Sequence, residues 1–349
     1  MRLSIVIPVL NSEKTLPACL AAIAAQTLPR TDYEIVIADA GSSDRTVAIA
    51  RAAGVDVITA NPLRTGEAGK TAGIKAAHGE LIALVDSDNI LPDPTWLARM
   101  LAPFVDPDVL ATEPISYTVR PQDPALTRYF ALLGMNDPLC LFTRNYDRTC
   151  VLTNRWTGLD VAQEDCGDWL KLRLTGDALP TIGANGFVFR RSLLDGANWD
   201  PYLFDIDILY ERILRDGAVS VAKVKTGIVH LYCARLGDFA RKQRRRIRDF
   251  LYFAQEKRRT YPWNRQRRAG IVLFCLSTVT VLPLLAQMLI GMRRRWDVAW
   301  LYHVPVCMLT LAIYGLGAFA RLLGRRPAPA DRTNWQKEPA YRPGAAMRE

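Results

Sequence analysis

The stretch LIALVDSDNI, residues 81–90, runs five apolar residues into two carboxylates, Asp86 and Asp88. A short apolar run bounded by polar residues indicates a buried strand, and a single acid would suffice to begin the following turn. Two acids one residue apart are also typical oxygen ligands for a hard divalent cation. The stretch therefore predicts a buried strand with a cation site at its carboxyl end.

The chain before this strand repeats one pattern. Short apolar runs at 3–10, 33–39 and 55–60 are each followed by a loop and a helical pattern. Such alternation predicts an α/β fold built of βαβ units, with a mostly parallel central sheet covered on both faces. Sites in these sheets lie at the carboxyl ends of the strands, so Asp39 and Asp86 are expected to approach each other.

Composition narrows the class of protein. The 349 residues, half of them hydrophobic, suit one large domain or two, with a sizeable core. Seven scattered cysteines form no CxxC pair, which argues against a zinc ribbon or a disulfide scaffold and fits a reducing compartment. No signal-peptide pattern opens the chain. The net charge of +10, with its excess after Arg235, fits nucleic acid, an anionic membrane or a phosphorylated substrate.

Two apolar runs near the C-terminus decide between these partners. Residues 269–292 and 298–320 carry no charged side chain, and each run is long enough to cross a hydrocarbon core of about 30 Å. They predict a C-terminal transmembrane helical hairpin. A membrane beside the basic segment makes anionic lipid the expected partner, and no nucleic acid is expected.

Four segments follow from this reading. They are an N-terminal domain (1–235), a basic amphipathic juxtamembrane segment (236–268), two transmembrane or re-entrant helices (269–321) and a disordered cytoplasmic tail (322–349). The basic flanks place the N-terminal domain on the cytoplasmic face of the cell membrane. Three arginines in the connector, at 293–295, oppose that orientation, so a re-entrant or interfacial hairpin stays open.

An ordered set of motifs resembles a known family. SIVIPVLNSEKTL, VIADAGSSDRT, ALVDSDN and a later acidic helix, in this order, resemble the family 2 glycosyltransferases, which have the GT-A fold. The resemblance covers about residues 3–232. A lone DxD occurs by chance in many proteins, whereas the ordered set is far more specific. It implies a GT-A nucleotide-sugar-binding domain that transfers a sugar with inversion.

The resemblance also implies a divalent cofactor, Mg²⁺ or Mn²⁺. A nucleotide-sugar donor leaves as a diphosphate, and a cation bridging the phosphates neutralises its charge. By resemblance Asp88 and His230 bind the metal, and Asp86 lies near the ribose. The alternative for Asp86 and Asp88 is a strand-end turn cap, and for His230 a satisfied strand-end histidine.

Further donor-side positions come from the same resemblance. The implied nucleotide-sugar contacts, besides Asp86, are Pro8, Asn11, Glu13, Asp39, Lys70 and Arg246. Each polar one has a plainer alternative: a helix-start acid for Glu13, a turn cap for Asp39, a solvated helix lysine for Lys70, and a lipid-facing basic helix for Arg246. Asn185 corresponds to the acceptor-side loop.

An inverting transfer to a hydroxyl needs a base, and FDIDILYER offers two candidates. Asp205 aligns by the Ile-Asp-Ile that follows it, and Asp207 aligns by its distance to Arg212. We favour Asp205 and keep Asp207 as the alternative. A phosphate acceptor would need no base, and the acid would then bind or position it.

The expected function is a membrane-associated, metal-dependent glycosyltransferase that acts on a lipid or lipid-linked glycan, as in cell-envelope glycan biosynthesis. One alternative is a nucleotidyltransferase that makes activated sugars, but PVLNSEKT lacks the Gly-rich basic loop typical of those enzymes. Another is a non-catalytic nucleotide-binding membrane scaffold. Two apolar runs are too few for the enclosed channel of a processive synthase.

Overall fold

The computed structural model describes residues 2–183, 185–255, 259–262 and 268–323. The predicted α/β fold is confirmed, and ten strands of the described chain form one sheet. The strands are β1 Leu3–Val9, β2 Tyr33–Asp39, β3 Val57–Ala60, β4 Leu81–Leu84, β5 Asn89–Ile90, β6 Val109–Tyr117, β7 Ala162–Asp165, β8 Trp169–Leu174, β9 Phe187–Arg190 and β10 Val219–His230.

Helices cover the sheet and continue beyond it. They are α1 Leu16–Ala24, α2 Thr46–Ala52, α3 Gly66–Ala76, α4 Trp96–Leu101, α5 Ala125–Leu133, α6 Leu139–Thr143, α7 Asp205–Asp216, α8 Leu236–Gln255, α9 Arg268–Thr280, α10 Leu282–Arg294 and α11 His303–Leu322. Alternate residues of β1 enter two different cores: Ile5 packs with Leu16, and Val6 packs with Ile74. This two-sided burial explains why the strand reads as a continuous apolar run.

The sheet has a parallel half and a mixed half. Its order is β3-β2-β1-β4-β9-β6-β10-β8-β7, and the first four strands in this order are parallel. β9 then pairs antiparallel with both β4 and β6. Because Asp39 ends β2 and Asp86 follows β4, the two acids flank the end of β1 on either side. They are separated by two strand spacings, about 10 Å.

Glycines bring α3 directly onto β1. A Cβ on Gly73 would lie 2.3 Å from Val6 Cγ1, and one on Gly69 would lie 2.7 Å from Pro8 Cβ. Only residues without a side chain allow this approach. The contact carries Lys70, the residue after Gly69, to the carboxyl edge of the sheet.

The first apolar run is two helices and not the one straight helix predicted. α9 and α10 meet at Val281, where φ is +62°, and their axes are bent by 92°. Pro283 lies in the first turn of α10, where a proline is tolerated only if a new helix begins. Hydropathy along the sequence does not reveal such a break, because the residues on both sides of it are apolar. One helical stretch of the described chain, Val298–Leu322, is long and apolar enough to cross a membrane.

Of the predicted tail (322–349), Leu322 still belongs to α11. Residues 324–349, on which the rest of the disorder prediction falls, lie outside the described residues. The division of the chain into a domain of residues 1–235 and its C-terminal segments stays a prediction.

Candidate active site

The two predicted metal ligands meet at one point. β5 pairs antiparallel with the end of β10, with His230 opposite Asn89, and Leu231 N–H donates to the Asp88 carbonyl at 2.9 Å. This pairing leaves His230 Nε2 at 3.6 Å from Asp88 Oδ2. Lys242 of α8 approaches the same oxygen at 3.9 Å. Burial acts to raise the pKa of Asp88, but His230 and Lys242 together hold it below its ordinary value.

A second layer orients His230. Its Nδ1 lies 3.5 Å from Asn136 Nδ2, and its ring lies 5.6 Å from the Tyr117 ring between centroids. An imidazole whose Nδ1 faces a hydrogen-bonding partner can present Nε2 to a metal. Asn136, Tyr117 and Lys242 are not among the residues that the sequence predicts for the site. Of these, only Lys242 carries a sequence signal, because it lies in the basic segment that also holds Arg246.

Asp86 lies close enough to interact with the charges of both candidate metal ligands and of the candidate base. Burial raises the pKa of Asp86, and the nearby Lys70 ammonium offsets part of that rise. Lys70 is itself buried, and its Nζ lies 2.6 Å from Asp205 Oδ2. Burial likewise raises the pKa of Asp205 against the lowering effect of Lys70. Asp205 Oδ1 is buried and has no hydrogen-bond partner within the described ranges.

The loop before β9 forms the wall behind Asp205. A Cβ on Gly183, whose φ is +135°, would lie 2.1 Å from Asp205 Cβ. Gly183 N–H donates to Glu113 Oε1 at 2.9 Å, and Glu113 is fully buried beside Arg148. The glycine and the carboxylate together fix the distance between this loop and α7.

Asp207 is turned away from Asp205. Residues two apart on a helix are rotated by about 200°, so the two acids cannot face one site. Asp207 instead accepts two hydrogen bonds from Arg259, at 2.7 and 3.0 Å, and one from Thr260 N–H at 3.2 Å. This carboxylate therefore ties the segment after α8 to α7, which favours Asp205 over Asp207 as the candidate base.

Asn185 joins the acceptor-side loop to the DxD turn. Its Oδ1 accepts from Asn89 Nδ2 at 2.9 Å, and its Nδ2 donates to Tyr117 Oη at 3.2 Å. Asn89 Oδ1 in turn accepts from Asp86 N–H at 2.9 Å. In this conformation the Asn185 amide therefore holds the acidic turn, a contact that sequence reasoning could not foresee.

The loops after β1 and β2 are bound to each other. Asn11 Oδ1 accepts from Ser43 N–H at 2.8 Å, and Glu13 N–H donates to Asp44 Oδ2 at 3.1 Å. Asp39 accepts from Ser42 Oγ at 2.6 Å and so caps its own turn. Pro8 and the half-buried Glu13 lie on the same edge of the sheet.

Arg246 is engaged away from the acidic turn. Its Nη1 donates to Asn136 O at 3.2 Å, to Asp137 Oδ2 at 3.2 Å and to Gln243 Oε1 at 2.8 Å. Tyr314 of α11 also donates to Asp137. Arg246 Nη1 thus holds the loop that carries Asn136, and contact between Arg246 and a nucleotide-sugar donor stays a prediction.

The chemistry of these side chains fits a divalent cation that is shared with a ligand. The carboxylate suits Mn²⁺ or Mg²⁺, and the imidazole is compatible with Mn²⁺. Within 2–183, 185–255, 259–262 and 268–323, no three His, Cys, Asp or Glu side chains are grouped closely enough to hold an ion. Asp88 and His230 would therefore supply two ligands, and phosphate oxygens or water would complete the shell.

The sheet order and the acidic strand ends define the GT-A fold, the fold of nucleotide-sugar-binding domains. One solved structure with this fold aligns with most of the chain. It is the mannosyltransferase PcManGT from Pyrobaculum calidifontis in complex with GDP-Man and Mn²⁺. The match covers 93% of this chain and 88% of that one, with a TM-score of 0.52 and 17% identity. At this identity the likeness shows the fold alone.

The sequence places the fold within a family. Residues 4–156 match the model of Glycosyl transferase family 2, so the chain carries a family 2 glycosyltransferase domain. Glycosyltransferase AglE of Haloferax volcanii is 27% identical over 179 residues, which are 50% of this chain and 57% of AglE. Glucosyl-3-phosphoglycerate synthase of Mycolicibacterium smegmatis is 35% identical over 112 residues, 30% of this chain and 37% of that protein. The chain thus spans little more than half of AglE and little more than a third of the synthase.

Proposed function

We propose that this protein is a membrane-associated, inverting glycosyltransferase that transfers a sugar from a nucleotide-diphosphate sugar to a lipid or lipid-linked acceptor. The observation that carries the proposal is the position of Asp86, which lies within reach of the charges of Asp88 and His230 and also of Lys70 and Asp205. One site thus combines two candidate metal ligands, Asp88 and His230, with the largely buried carboxylate of Asp205. The mannosyltransferase with the same fold was solved in complex with GDP-Man and Mn²⁺, which supports a nucleotide-sugar donor and a divalent cation for this protein.

In this proposal Asp88 Oδ2 and His230 Nε2 hold a divalent cation together with the donor diphosphate. When bound, the cation neutralises the charge that the leaving nucleoside diphosphate gains. The Lys70 ammonium adds a second positive charge at the same edge of the sheet. Pro8, Asn11, Glu13 and Asp39 line the neighbouring loops, where the nucleoside would lie.

Asp205 takes the proton of an acceptor hydroxyl. Within the described residues its buried Oδ1 has no hydrogen-bond partner, while Oδ2 is held by Lys70 at 2.6 Å, so the protein orients one oxygen and leaves the other unsatisfied until an acceptor hydroxyl donates to it. Because the carboxylate is buried, water competes poorly for it. An acceptor phosphate would need no base, and Asp205 would then position it.

A panel of nucleotide sugars, incubated with Mn²⁺, membrane lipids and the full chain, tests this function by mass spectrometry of the lipid products. The expected result is a mass increase of one sugar on a lipid, with release of the nucleoside diphosphate, and its loss in Asp88→Asn. A scaffold would bind nucleoside diphosphate without turnover. A nucleotidyltransferase would instead release pyrophosphate from a nucleoside triphosphate and a sugar phosphate.

A further inference from the structure

The longest apolar helix does not stand clear of the glycosyltransferase domain. At its first residue, His303 Nδ1 lies 2.8 Å from Tyr129 Oη of α5. At its middle, Tyr314 donates to Asp137, which lies next to Asn136 of the active site. α11 therefore rests on the domain from its start to beyond its midpoint.

α11 also runs alongside the basic helix α8. Gln243 Nε2 lies 3.5 Å from Thr310 Oγ1, and a Cβ on Gly317 would lie 2.9 Å from Ile247 Cγ1. The two contacts are one turn apart on α8 and two turns apart on α11, in the same chain direction. The middle of α11 is thus level with residues 243–247.

The charge on α8 limits how deeply both helices can lie in a membrane. Exposed arginines lie within and beside residues 243–247 of α8: Arg241, Arg244, Arg245 and Arg248. If α11 crossed a bilayer, its midpoint and these four arginines would lie together near the bilayer centre. Each such arginine lowers the insertion equilibrium by roughly 70- to 400-fold. The combined free-energy cost of inserting four arginines exceeds what one apolar helix can offset, which favours a position of α11 at the membrane–water interface.

The bent pair α9–α10 leads to the same conclusion. A Cβ on Gly270, near the start of α9, would lie 2.5 Å from Phe142 O of the domain. At the other end, Arg294 Nη1 donates to Leu152 O at 2.7 Å, and Asp297 pairs with Arg128 at 2.9 Å. Both ends of the pair therefore lie on the domain side. The three arginines of the connector, which oppose a spanning hairpin, are on the cytoplasmic side in this arrangement.

Large apolar side chains cover the outer surface of these three helices. Their exposed fractions run from 59% to 74% in Leu276, Val279, Leu282, Leu289, Leu316 and Phe319. Soluble monomers seldom expose so many large apolar groups on neighbouring helices. Arginines on α8 and in the connector border this surface, and an apolar face with a cationic border fits an anionic bilayer.

We propose that α9–α11 form a monotopic platform: it enters only the leaflet that faces the glycosyltransferase domain, and no described segment crosses the membrane. The inference rests on the membrane association proposed above and gives it a geometry. The ligand is an anionic lipid surface, with phosphate headgroups at the arginines of α8 and acyl chains against the exposed apolar residues. The active site then faces that leaflet, and a lipid acceptor reaches Asp205 without leaving the leaflet.

Sidedness in sealed vesicles tests the proposal. Three cysteine reporters are labelled with a membrane-impermeant maleimide in right-side-out and inverted vesicles: Leu214→Cys on α7, Trp296→Cys in the connector, and a cysteine appended to the C-terminus. The unsubstituted chain gives the background of its own seven cysteines. The proposal expects all three to react from the same side. Connector labelling from the opposite side from Leu214→Cys would establish a spanning hairpin, and C-terminal labelling from that side would establish a spanning α11. Either result overturns the proposal.

Vesicle binding tests the headgroup contacts. The Arg244→Gln/Arg248→Gln double variant should bind phosphatidylglycerol-containing vesicles about fivefold more weakly per arginine than the natural chain. Arg173→Gln, an exposed arginine of β8, should bind unchanged. Equal loss in both variants, wild-type binding by the double variant, or a dimer that buries the platform without lipid would contradict the proposal. Sugar transfer is measured separately, so one-sided labelling without turnover would reject the proposed function and leave the platform standing.

Discussion

Lys70 Nζ lies 2.6 Å from Asp205 Oδ2, and both side chains are largely buried. The pair joins α3, which carries the donor-side lysine, to the first turn of α7, which carries the candidate base. A carboxylate buried without a cation would take up a proton. The Lys70 ammonium opposes this effect of burial on the pKa of Asp205, and Asp86 lies close enough to interact with the same charge.

Asp205→Asn and Asp207→Asn should differ in activity. Loss of the base lowers kcat by about 10²–10⁴-fold, and it also lowers the free energy of unfolding, because Lys70 stays buried without its partner. Loss of Asp207 leaves Arg259 without its bidentate partner and lowers the free energy of unfolding by about 3 kcal/mol, with kcat of the folded fraction intact. Steady-state kinetics and urea unfolding of both variants check this. Full activity in Asp205→Asn would show that the acceptor needs no base at this position.

Lys70→Met should shift the pH dependence of sugar transfer. Burial already raises the pKa of Asp205, and Lys70 acts against that rise. Without the ammonium the pKa rises further, so the ionised base appears only at higher pH and the acidic limb of kcat/KM moves upward. Lys75→Met, on the exposed face of the same helix, serves as the control. An unmoved acidic limb in Lys70→Met would show that Asp205 does not set it.

His230→Gln and Asp88→Asn should each weaken Mn²⁺ binding in the presence of nucleoside diphosphate. Outer-sphere partners of a metal typically contribute 10–100-fold to affinity, so direct ligands should contribute at least about that much. His78→Gln is the matched control, because His78 is exposed and contacts Glu34. Calorimetry with Mn²⁺ and nucleoside diphosphate gives the affinity. Unchanged binding in either ligand variant would remove that residue from the metal shell.

The parts of the fold that short-range patterns determine could be predicted from the sequence. The strand before Asp86 and the βαβ order follow from hydrophobic periodicity, and the resemblance added His230, whose contact with Asp88 depends on strand pairing across the sheet. The Lys70–Asp205 pair joins residues 135 positions apart, and no local sequence pattern predicts it. Hydropathy also missed the 92° bend between α9 and α10. It measures how apolar a stretch is and does not reveal the change of backbone direction at Val281.

The buried cluster behind Gly183 should make stability depend on pH. Burial raises the pKa of Asp147 to about 6, against the effect of Arg148 beside it. The unfolded value is about 3.9, so between about pH 4 and 6 the folded chain binds more protons than the unfolded chain. The free energy of unfolding therefore falls as pH rises through this window, by about 2–3 kcal/mol in all. Asp147→Asn should flatten this slope, and Asp160→Asn, an exposed acid, should leave it unchanged. Urea unfolding in detergent at several pH values measures it, and an equal slope in Asp147→Asn would contradict the assignment.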